Sequence, residues 1–222
     1  MSKTIAVLNP KGGSGKSTLS TNLARAVQLR GRSVLVVDLD PQGTAAEWKG
    51  QEPDGLAAGG AGLPNVIRVL DAKTLAGLGQ LSAELDYVVM DGSAKVERLT
   101  GAAVRASDLV LVPVRPSPAD LWAVADLVSA VHRVGVPAAF VVSQQVAGTL
   151  TAGEVVEALA EYDLPVLDGR TSQRQAYVHA MAAGLSVLDY EPGGKAAAEV
   201  TAITDEVLDA LGDSAAAPVA TV

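Results

Sequence analysis

The segment Asn9-Pro10-Lys11-Gly12-Gly13-Ser14-Gly15-Lys16-Ser17-Thr18 constrains this chain more than any other. It follows an apolar run at residues 4–8 that reads as a strand, and it precedes a helical run at residues 17–30. A glycine-rich turn between a strand and a helix N-terminus is a phosphate cradle. The glycines let backbone N–H groups approach phosphate oxygens with no Cβ in the way. The helix end adds partial positive charge. Lys16 is placed to reach the β- and γ-phosphates, and the Ser17 hydroxyl to ligate Mg²⁺. The usual template asks for glycine five residues before Gly15. That position holds Pro10, and a second lysine, Lys11, opens the loop. A plain glycine-rich turn with solvated lysines would explain the composition but not the strand–loop–helix setting.

The rest of the chain repeats that alternation. Residues 33–37, 66–70, 87–90, 109–114 and 138–142 are short runs rich in Val, Ile and Leu. They are continuous rather than alternating, the pattern of strands covered on both faces. In residues 17–30, Leu19, Leu23, Ala26 and Val27 fall at helical spacing, and Gly31 stops the run. Ser117-Pro118 opens a helix with an N-cap residue and proline at the first position. Thr151-Ala152-Gly153-Glu154 has capping-box spacing ahead of Val155, Val156 and Leu159. Residues 172–183 read as a helix ending at Gly184. Val200, Ile203, Val207, Leu208 and Leu211 form one apolar face of a last helix. The pattern predicts an α/β fold, a mostly parallel twisted sheet flanked by helices on both faces. At 222 residues it predicts a single domain over 1–211, with a frayed tail at 212–222. Residues 50–64, rich in Gly, Ala and Pro, read as a surface loop.

Two further strands end in carboxylates. Val36-Val37-Asp38-Leu39-Asp40-Pro41-Gln42-Gly43 places two at a strand's C-terminal end, where α/β folds bind ligands. Tyr87-Val88-Val89-Met90-Asp91 is an apolar strand ending in Asp, suited to hold Mg²⁺ directly or through water. The residues alone do not say which of Asp38 and Asp40 does which task. An acidic turn after a strand is the plainer alternative.

Composition removes several other chemistries. With no cysteine there is no disulfide framework, thiolate-held iron–sulfur cluster, Cys-ligated zinc or Cys nucleophile. His132 and His179 lack partners at metal-ligand spacing and are expected in core or surface roles. Trp48 and Trp122 are expected to pack. The longest charge-free run, 134–153, contains Pro137, Ser143, Gln144 and Gln145, so no membrane span is expected. The N-terminal apolar run is too short for a signal peptide, which predicts a cytoplasmic chain. Seventeen Lys and Arg against twenty-five Asp and Glu give a formal charge of −8. That balance speaks against an overall-basic nucleic-acid binder but not against a local basic patch.

Residues 9–18 resemble the deviant phosphate loop (deviant Walker A) of the ParA/MinD ATPases, whose signature residue is the early lysine, here Lys11. Asp38-Leu39-Asp40-Pro41-Gln42 is similar to the ParA pattern Asp-x-Asp-Pro-Gln. Most ParA relatives continue with Thr-Pro-Pro after the Asp at position 91. Gly92 instead resembles the small ParF-like plasmid-partition ParA proteins. Residues 108–114 with Pro116-Ser117-Pro118, Gln173–Val178, Ser186–Asp189 and Gly193–Ala197 also look ParF-like. The resemblance covers residues 3–211.

The resemblance implies a P-loop NTPase fold and ATP/ADP with Mg²⁺ as cofactors. It implies that Lys11, Gly12, Gly13, Ser14, Gly15, Lys16, Ser17 and Thr18 hold the nucleotide. The region of Pro192 and the loop near Ser143 would contact the base. Ser17, Asp38, Asp40 and Asp91 would form the metal surroundings, with Asp40 orienting or activating the attacking water and Asp38 supporting the Mg²⁺ shell. It further implies a nucleotide-sandwich homodimer in which Lys11 reaches the partner's phosphates. A cation supplied in trans would neutralise developing phosphoryl charge only after assembly. Family members bind DNA non-specifically as ATP dimers. Arg170, Arg174 and Lys195 are the candidates here, with Arg98, Arg105, Arg115 and Arg133 as further cations, and ordinary solvated charge is the alternative for each. The implied partners are a ParB/ParG-like protein or cargo adaptor that stimulates slow ATP hydrolysis, and the nucleoid surface. MinD relatives end in a basic amphipathic membrane helix, which residues 212–222 cannot form. With the phosphate loop at residue 9, no helix-turn-helix module is expected ahead of it. The implied function is a positioning ATPase, with plasmid partition as first cargo. The alternatives are a protein cargo or organelle of the carboxysome or chemoreceptor type, a MinD-like regulator, or a dethiobiotin-synthetase-like metabolic enzyme. Nitrogenase iron-protein-like redox chemistry is excluded by the missing cysteines.

Overall fold

A computed structural model describes residues 2–58, 62–94, 97–146 and 152–213. The first half runs β1 (Lys3–Val7), α1 (Lys16–Leu29), β2 (Val34–Asp38), α2 (Thr44–Gly50), α3 (Asp54–Ala58), β3 (Asn65–Arg68), α4 (Ala72–Ala76), α5 (Leu78–Leu81) and β4 (Tyr87–Asp91). The second half runs α6 (Glu97–Ala106), β5 (Leu109–Val114), α7 (Pro118–Trp122), α8 (Ala125–Val134), β6 (Ala138–Val142), α9 (Ala152–Ala160), α10 (Gln175–Ala182), α11 (Val187–Tyr190) and α12 (Lys195–Ala210). The six strands form one sheet in the order β3-β2-β4-β1-β5-β6, and every pairing is parallel.

Successive strand residues go to opposite faces, and both faces are buried. Ile5, Val7, Val89, Leu111 and Val141 pack with Leu19 and Leu23 of α1 and with Ile203 and Val207 of α12. Ala6, Leu8, Val88, Met90, Val112 and Phe140 pack on the other side with α6, α8 and α9. This double cover is why the strands read as unbroken apolar runs. Among the described residues the edge strand β3 pairs only with β2, and it is the most exposed of the six.

Several local expectations shift. The helix expected at 172–183 begins at Gln175, because Ser172 bridges to Gln145 instead. Residues 165–173 run beside β6 as a broken extra strand. Phe140 N–H donates to Pro165 O, Leu167 N–H to Phe140 O, and Thr171 N–H to Val142 O. The loop expected at 50–64 contains the short helix α3. The Thr151 capping box lies outside the described residues. The expected tail starts too early, because Asp213 accepts the Tyr87 hydroxyl at 2.7 Å and pairs with Arg32. Trp48 packs as expected, its Nε1–H donating to Leu185 O. Trp122 does not: α7 turns Leu121 inward and leaves Trp122 73% exposed. Among the described residues, no helix is long and apolar enough to cross a membrane.

Gly184 shows how tightly the α10–α11 turn is packed. Its φ is +63°, and an added Cβ would run into the Gln51 carbonyl and stand 2.8 Å from Gln51 Cβ. Gly184→Ala is expected to destabilise the fold by about 2 kcal/mol or more. That corresponds to a fall in Tm of about 4–8 °C for a chain of this size. Thermal melting by circular dichroism checks this, and an unchanged Tm would contradict the packing described.

Candidate functional site

Three strand ends meet at one level of the sheet. Asp91 pairs in register with Val7 on one side and with Asp38 on the other. The phosphate loop leaves β1 at that level. Gly13 and Gly15 adopt φ of +73° and +90°, where a side chain would be strained. Asn9 braces the entry, its Nδ2 donating to Pro113 O at 2.8 Å and its Oδ1 accepting the Lys11 N–H at 2.7 Å. From the other side the Ser143 hydroxyl donates to Ser14 O and Gln144 Nε2 to Gly13 O, both at 2.8 Å. Gln144 holds φ of +53° to do so.

α1 begins at Gly15 with no side-chain cap and no acidic residue in its first turn. Its leading N–H groups are thus directed at whatever anion enters the loop. Lys16, 7% exposed, donates from Nζ to Lys11 O at 3.0 Å and closes the loop on itself. Burial lowers its pKa, against the opposing pull of Asp91 and Asp40.

The three carboxylates differ. Asp38 is fully buried, and its two oxygens accept the N–H groups of Asp40 at 2.9 Å and Ala46 at 3.0 Å. It therefore shapes the turn that carries Asp40. Asp40 is half-buried and accepts the Gln42 N–H at 2.9 Å. Arg68 pins the same turn through Pro41 O at 2.9 Å and lies against Gly43. Asp91 is fully buried. One oxygen accepts the Ser20 hydroxyl at 3.1 Å, and the other, Oδ2, has no hydrogen-bond partner among the described residues. Burial pushes this carboxyl up to about 7, Asp38 adds to the rise, and Ser17, Ser20 and Lys16 oppose it.

A buried carboxylate oxygen without a partner is costly unless a cation meets it. Among the described residues, no cluster of three or more His, Asp or Glu forms a metal cage. Mg²⁺ commonly takes one or two protein groups and completes its shell with phosphates and water. Asp91 with Ser17 beside it fits that habit.

A cavity of about 480 Å³ opens beside the loop, lined mainly by apolar atoms from Gly15, Thr18, Ser143, Thr171, Tyr177 and Met181. That volume suits a nucleoside-sized ligand. Pro192, expected at the base, is exposed on the turn between α11 and α12 and is not among the lining residues. The segment 171–174, brought in by the broken strand beside β6, lines the cavity together with Ser143, the other residue expected at the base. Arg174 is no open cation. Its Nε and Nη2 donate to Glu199 at 2.9 and 2.7 Å, and Ser172 and Tyr177 bind the same carboxylate. Arg170 is half-buried and donates to Asp168 O, while Lys195, Arg98, Arg105 and Arg133 are exposed. Arg115 lies over the phosphate loop, with Nη1 3.9 Å from where a Gly13 Cβ would stand.

Lys11 is held within the chain. Its Nζ donates to Asp120 Oδ2 at 2.8 Å. Asp120, 1% exposed, also receives Arg115 and the Ser117 hydroxyl. Burial alone would raise the Asp120 carboxyl, but Arg115, Lys11 and Ser117 together hold it below the usual range.

The chain matches the model of the CobQ/CobB/MinD/ParA nucleotide binding domain over residues 5–187. It belongs to that family. Within the MinD/ParA family it is 36% identical over 208 residues to maintenance of carboxysome distribution protein A of Gloeobacter kilaueensis, covering 90% of this chain and 89% of the relative. It is 31% identical over 215 residues to the protein of the same name from Halothiobacillus neapolitanus, covering 92% and 96%. Its fold is shared with the septum site-determining protein MinD of Pyrococcus horikoshii, solved with Mg-ADP, at a TM-score of 0.80 and 19% identity over 97% of this chain and 99% of that one. The family is one of nucleotide-binding domains, and the donor set at this site, Asp91 with Ser17 beside it, is one that Mg²⁺ takes.

In this MinD/ParA-family chain, Gly92 has a packing reason. Its N–H donates to Val7 O at 3.0 Å, and a Cβ there would stand 2.8 Å from that carbonyl. Sequence reasoning missed Ser20, Gln144 and Arg68. Ser20 carried a findable signal, since it lies one helical turn beyond Ser17 on the face of α1 toward β4.

Proposed function

We propose that this chain is a ParA-like positioning ATPase, binding Mg-ATP in the phosphate loop and acting as a homodimer. The observation that carries this reading is Lys11. Its ammonium is partly exposed at the loop mouth, paired with Asp120, rather than in the loop interior with Lys16. Lys16 and the open N-terminus of α1 take the phosphates. Ser17 and Asp91 hold Mg²⁺, which supplies charge neutralisation on the phosphates when bound. Asp40, on the turn held by Asp38 and Arg68, orients the attacking water. Lys11, released from Asp120, serves the partner's nucleotide. The reading also draws on similarity across nearly the whole chain to two carboxysome distribution proteins. Those names favour a large protein body as cargo, ahead of a plasmid. Non-specific DNA is the track. With Arg174 neutralised by Glu199, DNA contact falls to exposed cations such as Lys195 pooled from two subunits, and binding should be salt-sensitive.

Sedimentation velocity and gel shifts on arbitrary duplex DNA test this with ATP, ADP and no nucleotide. ATP is expected to convert monomer to dimer and to raise DNA affinity, and ADP is not. Equal DNA affinity in all three states overturns the reading.

A further inference from the structure

β5 lies directly beside β1, pairing Leu109, Val110 and Leu111 with Ile5, Ala6 and Val7. The turn after β5 therefore emerges next to the phosphate loop. It is tied there by Asn9 to Pro113 O and by Lys11 to Asp120. Arg115 stands in this turn. Its Nε and Nη2 donate to Asp120 at 2.9 and 3.2 Å. Its Nη1 has no hydrogen bond among the described residues and is the nitrogen turned toward Gly13. Asp120 thus carries two cations on one buried carboxylate, which leaves a net positive charge at the loop mouth.

The direction of the nucleotide follows from the cavity. The cavity opens on the Gly15 and Thr18 side, so the nucleoside lies there. The triphosphate then runs back along the loop, and its far end reaches Gly13 and Gly12. We propose that Arg115 is a second phosphate-facing cation, delivered in cis by the β5–α7 turn. It contacts the terminal phosphate of bound ATP while Asp120 holds its guanidinium over Gly13. A guanidinium suits both tasks at once: two nitrogens stay on the carboxylate and the third meets the anion. A lysine ammonium has no such fork. When Lys11 leaves for the partner, Arg115 stays, so each phosphate site would be flanked by one cation from its own chain and one from its neighbour.

This rests on the reading that the loop binds ATP, and the test separates the two. Calorimetry with ADP and with a non-hydrolysable ATP analogue, both with Mg²⁺, is run on the wild type, Arg115→Gln and Arg115→Lys. ATP turnover and nucleotide-free melting accompany it. Glutamine keeps the reach to Asp120 and removes the charge. The expected result is ADP affinity within about twofold of wild type, analogue affinity reduced about tenfold or more, and turnover reduced at least as much. Arg115→Lys is expected to recover only part of this. Unchanged analogue affinity and turnover in Arg115→Gln overturns the proposal. So does an equal loss for ADP and analogue with a lowered Tm, which would make Arg115 a strut for α7. A wild type that binds neither nucleotide overturns the ATP reading itself, and this proposal with it.

Discussion

Lys16→Ala is expected to lose ATP and ADP alike, by a factor of at least about 100 in Kd. Two effects act together. A charge-assisted hydrogen bond to a phosphate contributes about 1.5–3 kcal/mol, and Lys16 is already desolvated, so little of that is lost to water on binding. Lys16 also ties the loop by its bond to Lys11 O, and without it the loop N–H groups lose their preset directions. The ammonium interacts with both Asp91 and Asp40, so removing it leaves those carboxylates to repel the incoming phosphates. Titration calorimetry with Mg-ADP and Mg-ATP decides the matter, with nucleotide-free melting to show that the variant is folded. A wild-type Kd in a folded Lys16→Ala would place the nucleotide elsewhere.

How much of this was legible in the sequence depends on whether a feature is local. The six strands are legible because burial on both faces leaves unbroken apolar runs, and the observed ends fall within one or two residues of those expected. The phosphate loop is legible because glycine, lysine and the helix start are contiguous. Asp91 and Asp38 are legible because a carboxylate that closes an apolar strand is conspicuous.

What failed to show is non-local or too short for a period. α4, α5 and α11 span only four or five residues each, less than is needed to display a helical face; α7 is as short and was legible only through its Ser117-Pro118 start. Arg115 looked like one more surface cation, because only the sheet order places the end of β5 beside the loop after β1. Arg174 looked like a DNA contact, because its partner Glu199 is 25 residues away on α12. Of the two base contacts expected, Ser143 lines the cavity beside the loop and Pro192 does not. Residues 171–174 line it through the irregular strand beside β6, whose bridges leave no repeating pattern. Trp122 was expected inside. A five-residue helix with Leu121 already turned to the core has no second inward place for it.

The positions of the three carboxylates lead to the last expectation, that Asp40→Ala keeps ATP and loses turnover. Asp91 is sealed in the sheet against Ser20, and its open oxygen suits a cation rather than a water entering from solvent. Asp38 has both oxygens on backbone N–H groups, so Asp38→Ala would unfasten the turn and disturb several functions together. Asp40 alone is half-exposed, on a turn pinned at both ends, and close enough to Lys16 for their charges to interact. Its removal is expected to leave Kd for ATP within about threefold and to lower kcat by about 10²–10⁴, the range for a positioned general base. If hydrolysis ends the dimer, the same variant should accumulate as an ATP-bound dimer that sediments as such after wild type has returned to monomer. Undiminished turnover in Asp40→Ala would remove this residue from the chemistry, and the water would then have to be oriented by groups on the other side of the phosphates.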